Sequence, residues 1–171
     1  GSYVTVRDLI DEVGRDATRF FLAARRVDSQ LTFDIDLARS QTNENPVYYI
    51  QYAHARLSSV LRRLAEEGVS RGFNENLGDL SLLTLDEEKD LANQLAQYPE
   101  LVENSARLRE PHHVSNYLRE LAGQFHTYYN AHKVLIEDTA VRDARLSLYL
   151  AVRQVIANGL DLLGVSAPEE M

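Results

Sequence analysis

The 171-residue sequence contains no cysteine, which excludes a disulfide framework and any thiolate zinc site. No apolar run reaches membrane-spanning length, and the first residues lack the pattern of a secretory signal. The expectation is a soluble, intracellular protein. Glycine-rich phosphate loops, G-x-S-x-G and H-E-x-x-H are all missing. Histidines are few. His126 and His132 stand six apart and do not share a helix face, and His112-His113 at a helix start reads as exposed or capping. His54, on the edge of an apolar stripe, reads as a hydrogen-bonded core-edge residue rather than a ligand. Asp28, Asp34 and Asp36 have generic spacing, better explained by the wet side of an extended segment than by a metal. No catalytic residue and no metal site is expected.

Positive charge is also scarce. The net charge of −8 argues against indiscriminate nucleic-acid binding. Its distribution is uneven. Residues 75–104 hold eight acids against Lys89 alone and read as a solvated acidic back. Residues 139–160 hold Arg142, Arg145 and Arg153 against Asp143, a less acidic face compatible with RNA.

What is present is helical periodicity. Thr5 can cap a helix over 6–13 that ends at Gly14, and a second helix follows with Ala17, Phe20, Phe21 and Ala24 inward. Residues 27–36 alternate around Leu31, Phe33 and Ile35, which predicts a strand-like arm, followed by a helical turn over 37–41. A long helix spans 46–67, and the glycines and asparagines of 68–80 read as a loop. Thr84-Leu85-Asp86-Glu87 has the form of a capping box, opening a helix to about 97. Pro99 starts a short helix and Pro111 a long one. Along the latter Val114, Tyr117, Leu121, Phe125 and Tyr128 keep one apolar stripe, which makes Tyr128 a core residue, while Tyr129, Asn130 and Lys133 cluster at its end. Asp138 or Thr139 caps the last helix, Gly159 permits close helix contact, Gly164 closes it, and Pro168 prevents continuation into a short tail. The chain therefore reads as all-α: a helical bundle over 44–171, preceded by a short helical and extended connector over 1–43.

The helix beginning at Pro46 carries two stripes. Asn45 suits the N-cap and Pro46 the first turn. Val47, Ile50, Ala53, Leu57, Val60, Leu61 and Leu64 make a buried face. At about 100° per residue, Tyr49, Tyr52, Arg56 and Arg63 make a second one. Tyrosines flanking a core stripe ordinarily pack under the next helix. Beside guanidinium groups that no nearby acid compensates, they also form the kind of surface on which single-stranded RNA bases stack.

Four ordered stretches carry a resemblance. The segment Asn43-Glu44-Asn45-Pro46-Val47-Tyr48-Tyr49-Ile50-Gln51-Tyr52-Ala53-His54-Ala55-Arg56 resembles the opening of the C-terminal helical domain of arginyl-tRNA synthetases. Asp11-Glu12-Val13-Gly14-Arg15-Asp16-Ala17-Thr18-Arg19-Phe20-Phe21 is similar to that family's connector after the catalytic domain. Tyr117-Leu118-Arg119-Glu120-Leu121-Ala122-Gly123-Gln124-Phe125-His126 with Tyr128-Tyr129-Asn130 resembles a mid-domain helix. Val152 to Val165, with Arg145-Leu146, resembles the closing helix of the DALR-type anticodon-binding domain, although Asp143-Ala144-Arg145-Leu146 permutes the nominal letters.

The resemblance implies tRNA anticodon-loop recognition within a class I arginine–tRNA ligase that uses ATP, magnesium, arginine and arginine tRNA. It implies that the catalytic domain, with its HIGH-like and KMSKS-like signatures, precedes residue 1. On that view this chain alone holds no cofactor and does not aminoacylate. The partner implied is tRNA, not DNA and not a membrane, for a cytoplasmic monomer. Matched motif by motif, the anticodon-binding residues are Tyr49, Tyr52, Arg56, Tyr129 and the terminal Met171. Two other readings stand beside it: a helical protein-interaction domain whose tyrosine stripe meets a partner helix, and a DALR domain of another class I synthetase such as the cysteine enzyme.

Overall fold

The computed structural model describes residues 4–30, 32–69 and 78–171. Among the described residues there are eight α-helices and no strand. They are α1 (Val6–Val13), α2 (Arg15–Ala23), α3 (Ile35–Arg39), α4 (Pro46–Glu66), α5 (Asp86–Ala96), α6 (Tyr98–Leu108), α7 (His112–Ala131) and α8 (Thr139–Leu162), with a 3-10 turn at Leu80–Leu82. The all-α expectation holds.

The core lies where α4, α7 and α8 pack against one another. α5 covers α7 and α8, and α6 lies on α7 and α5. Ile50, Leu57, Leu118, Leu121, Phe125, Val152 and Ile156 are fully buried between them. Each such side chain contributes roughly 1.5–3 kcal/mol of apolar burial, so the three long helices supply most of the cohesion. Gly159 is what lets α7 and α8 approach: a Cβ there would stand 2.6 Å from a methyl of Leu118. α1, α2 and α3 pack on each other, and α2 joins them to α4 and α7.

Asn45 joins these three short helices to the long ones. Its Oδ1 accepts from the backbone N–H of Val47, capping α4. Its Nδ2 donates to the carbonyls of Ala38 and Ser40, at 3.2 and 2.8 Å. The side chain is buried, so one amide serves the start of one helix and the end of another.

Several expectations need correction. The alternating stretch 27–36 is not a strand-like arm. Val27 is 98% exposed, residues 26–29 form a turn, and Asp34 caps α3 by accepting from Leu37 N–H at 2.9 Å. No described strand lies alongside to pair with it, so the capping aspartate starts a helix where hydrophobic alternation suggested extension. Leu31 and most of the 68–80 loop lie outside the described residues.

The box expected at Thr84 forms only in half and one residue later, since the leucine side chain at the cap has no acceptor to offer. Leu85 is the N-cap of α5, and Glu88, not Glu87, reaches back to its N–H at 3.1 Å. Nor is the acidic stretch wholly a solvated surface. Glu88 is 1% exposed, accepts from the Tyr128 hydroxyl at 2.7 Å, and accepts from Arg145 Nε at 2.8 Å. One carboxylate thereby ties α5, α7 and α8 together. The same bond removes Arg145 from the supposed basic face. Arg142 pairs with Asp143 and Arg153 with Glu169. The excess charge of 139–160 is largely used within the protein.

Candidate nucleic-acid interface

The second stripe of α4 meets the last turns of α7. Residues i and i+4 on a helix are neighbours, and Tyr48 and Tyr52 accordingly stack with centroids 6.0 Å apart and planes 7° apart. From α7, His126 inserts against both Tyr52, at 5.6 Å, and Tyr49, at 4.5 Å. Arg56 extends one turn further. Its guanidinium carbon stands 5.3 Å from the Tyr52 ring centroid and 4.1 Å from that of Tyr129. An arginine between two tyrosine faces is held by cation–π attraction.

The hydrogen bonds assign the imidazole. His126 Nε2 faces the backbone carbonyl of Tyr49 at 3.2 Å. A carbonyl only accepts, so Nε2 carries the proton. Nδ1 is then an acceptor, and Arg56 Nη1 donates toward it at 3.4 Å and to Asn130 Oδ1 at 3.3 Å. Burial holds the His126 pKa below the ordinary imidazole value, the Tyr49 carbonyl opposes that shift, and the Arg56 cation adds to it. His126 is therefore a neutral spacer that orients Arg56 without competing for an anion.

Tyr52 and Arg56 form a ridge between two open clefts. One, of about 480 Å³, is bordered by Tyr48, Tyr49, His126 and Asn130. The other, of about 470 Å³, is bordered by Arg62, Glu169, Glu170 and Met171. The structure thus brings four of the five expected residues, Tyr49, Tyr52, Arg56 and Tyr129, into one cluster, and sets Met171 across the ridge. Arg63, on the same sequence stripe, faces a separate cleft beside Tyr129 and Lys133.

Met171 reaches its place because the tail folds back along α4. Gly164, with φ of 67°, turns the chain at the end of α8. Gln51 Nε2 donates to the Ser166 carbonyl at 3.0 Å, and His54 Nδ1 donates to the Pro168 carbonyl at 2.8 Å. His54 is buried at the core edge, as expected, and burial holds its pKa below the ordinary value.

Residue spacing did not single out His126, Tyr48 or the tail acids. Tyr48 was within reach, being four residues before Tyr52. His126 was not, because nothing within α7 shows which part of α4 it faces. Tyr128 is 1% exposed and belongs to the core, as its stripe indicated. His112 is buried, contrary to the exposed or capping role expected for it, and His113 bonds Glu110 at 2.7 Å. Glu110, His112 and His113 bring potential ligand atoms within 4.8 Å of one another. Two of those atoms are engaged with each other, and the group lies ~21 Å along α7 from His126.

Residues 50–171 match the family described as the DALR anticodon binding domain. Among curated relatives, the arginine–tRNA ligase of Thioalkalivibrio sulfidiphilus is 58% identical over 171 residues, covering all of this chain and 29% of the relative. That of Halorhodospira halophila is 53% identical, with the same coverage. The chain spans less than a third of the length of these relatives. Among solved structures, Thermus thermophilus arginyl-tRNA synthetase superposes with a TM-score of 0.78 at 35% identity, covering 94% of this chain and 27% of the other.

Proposed function

The chain belongs to the DALR anticodon-binding domain family, and from that premise we propose that it binds the anticodon loop of arginine tRNA as the anticodon-binding part of an arginine–tRNA ligase. The observation that carries this reading is the Tyr52–Arg56 ridge. It offers a π-face for an unstacked base and a guanidinium held among neutral neighbours, with a cleft on either side. In this reading Tyr49 and Tyr52 take bases, Arg56 takes a phosphate or base edge, Tyr129 supports the Arg56 guanidinium from below, and Met171 borders one of the clefts. The contribution of these residues is positioning. ATP, magnesium and arginine belong, in this proposal, to sequence that the longer relatives carry beyond the matched part. Residues 1–43 act as the connector and 44–171 as the RNA-binding bundle of a cytoplasmic monomer. No helix among the described residues is long and apolar enough to cross a membrane.

The test is a titration of the chain with the arginine anticodon stem-loop and with an anticodon-swapped stem-loop at two salt concentrations. Tighter binding of the arginine anticodon, weakening with salt, is the expected result. Equal affinity for both loops would refute the assignment and return the tyrosine face to a protein-docking role.

A further inference from the structure

Three arginines line the edge of α4 along which the tail runs, and among the described residues only one of them lacks a carboxylate partner. Arg62 Nη1 donates to Glu170 at 2.6 Å, and Arg153 is paired with Glu169 while its Nε donates to Ser58 Oγ at 2.9 Å. Among the described residues Arg56 has no acidic partner. Its neighbours are two tyrosine faces, an amide oxygen and a neutral imidazole. Arg62 and Arg153 are not hidden, with 47% and 32% of their side chains exposed, so a phosphate could reach either if it were free.

We propose that Glu169 and Glu170 are specificity-determining residues. They fill the guanidinium groups of Arg153 and Arg62 from within the chain and leave Arg56 as the point at which an RNA phosphate is admitted to this edge. The proposal rests on the RNA-binding reading above.

An exposed ion pair by itself is a weak bond that water and salt dissolve. Here the carboxylates do not depend on those pairs for their position. His54 holds the Pro168 carbonyl and Gln51 holds the Ser166 carbonyl, on the residues just before them. The acids are therefore kept beside the arginines at a high effective concentration.

Phosphate contacts position an RNA and strengthen its binding but carry no sequence information. Two more uncompensated cations beside a stacking surface would let a loop bind through its phosphates in registers that leave Tyr52 unstacked, which favours a swapped loop more than the arginine loop. With those cations neutralised internally, binding depends on bases that stack on Tyr52 and on the one contact that Arg56 makes. The tail acids act against wrong partners, in the way that specificity commonly needs an unfavourable element as well as favourable ones.

The experiment compares the wild-type chain with the variant carrying both Glu169→Gln and Glu170→Gln. Glutamine keeps size and hydrogen bonding and removes the charge. Each protein is titrated with the arginine anticodon stem-loop and with the anticodon-swapped stem-loop across a salt series, and its melting temperature is recorded. The variant is expected to bind the swapped loop roughly three- to tenfold more tightly. Its salt dependence should steepen by up to about 1.4 in the slope of log K against log salt, at ~0.7 per freed single-strand phosphate contact, so that preference for the arginine anticodon narrows. Adding Arg62→Ala should reverse about half of the steepening, because one of the two cations is gone.

An unchanged salt slope with unchanged swapped-loop affinity overturns the proposal. So does equal weakening toward both loops, which would mark the acids as structural. If the wild type binds neither loop, the RNA assignment fails. The proposal then falls with it, whereas a wild type that prefers the arginine anticodon and a glutamine variant that matches it in slope and affinity overturn the proposal alone.

Discussion

At the scale of single residues, two tyrosines on neighbouring helices divide structure from the proposed recognition. Tyr52 is half-buried, and its ring touches Tyr48, His126 and Arg56 at the rim of two clefts. Tyr128 is enclosed, and its hydroxyl is spent on Glu88. Tyr52→Ala should cost about 1–3 kcal/mol of anticodon-loop binding, the value of one stacked base, while the melting temperature stays close to that of the parent. Tyr128→Phe should do the reverse. It leaves Glu88 short of a donor in a buried place, costs about 1–3 kcal/mol of stability, and does not change RNA affinity. Urea denaturation and RNA titration on both variants check the pair, and a large stability loss in Tyr52→Ala would show that its ring belongs to the core.

Among the elements, α4 is the one on which both tasks depend, and its start is held by Asn45. The sequence marked Asn45 as a cap because asparagine before proline at an apolar period is a helix-start signal. It did not reveal that the same amide closes the end of α3 through Ala38 and Ser40. Asn45→Ala should therefore cost more than an ordinary cap. About 1 kcal/mol is lost with the cap itself, and a further ~1–3 kcal/mol comes from the carbonyls left without a donor. Chemical denaturation should show a total loss of roughly 2–4 kcal/mol. A loss confined to the cap value would mean that water satisfies those carbonyls. α3 itself shows the limit of local reading. Phe33 and Ile35 alternate with polar residues as in a strand, but a strand needs a neighbour, and whether one is present is a property of the fold rather than of the segment.

For the whole molecule, two of the buried histidines, His54 and His126, make stability depend on pH. His54 and His126 both have pKa values below the ordinary imidazole value, chiefly through burial. As pH falls through about 6.5 the unfolded chain takes up these protons first. The unfolded state then binds more protons than the folded state, and stability declines with acidification. Their contribution is whole above that pH and is lost below it, until the folded forms protonate as well. The melting temperature should drop between about pH 7.5 and about pH 5.5, and replacing both residues with glutamine should flatten the drop. A profile equally steep in that variant would assign it to other groups. The consequence reaches the interface, because a proton on His126 would set a cation against Arg56 and loosen the ridge.

The sequence by itself determined the helical class, the placing of most helices, the buried stripe of α4 and the residues expected to meet RNA. Those features follow from local rules: periodicity, caps and the conformational limits of proline and glycine act over a few residues, and a motif is a string. The tertiary structure alone decided which charges are free. Glu88 lies in a stretch that reads as solvated acid and is in fact buried against Arg145 and Tyr128. Arg153 reads as an available cation, yet it is matched by an acid 16 residues away, as Arg62 is by one 108 residues away along the chain. His126 gained its role from α4, 70 residues before it. Charge pairing and desolvation depend on distance through space, to which sequence separation is blind, so the sequence could put forward a candidate surface but not its electrostatics.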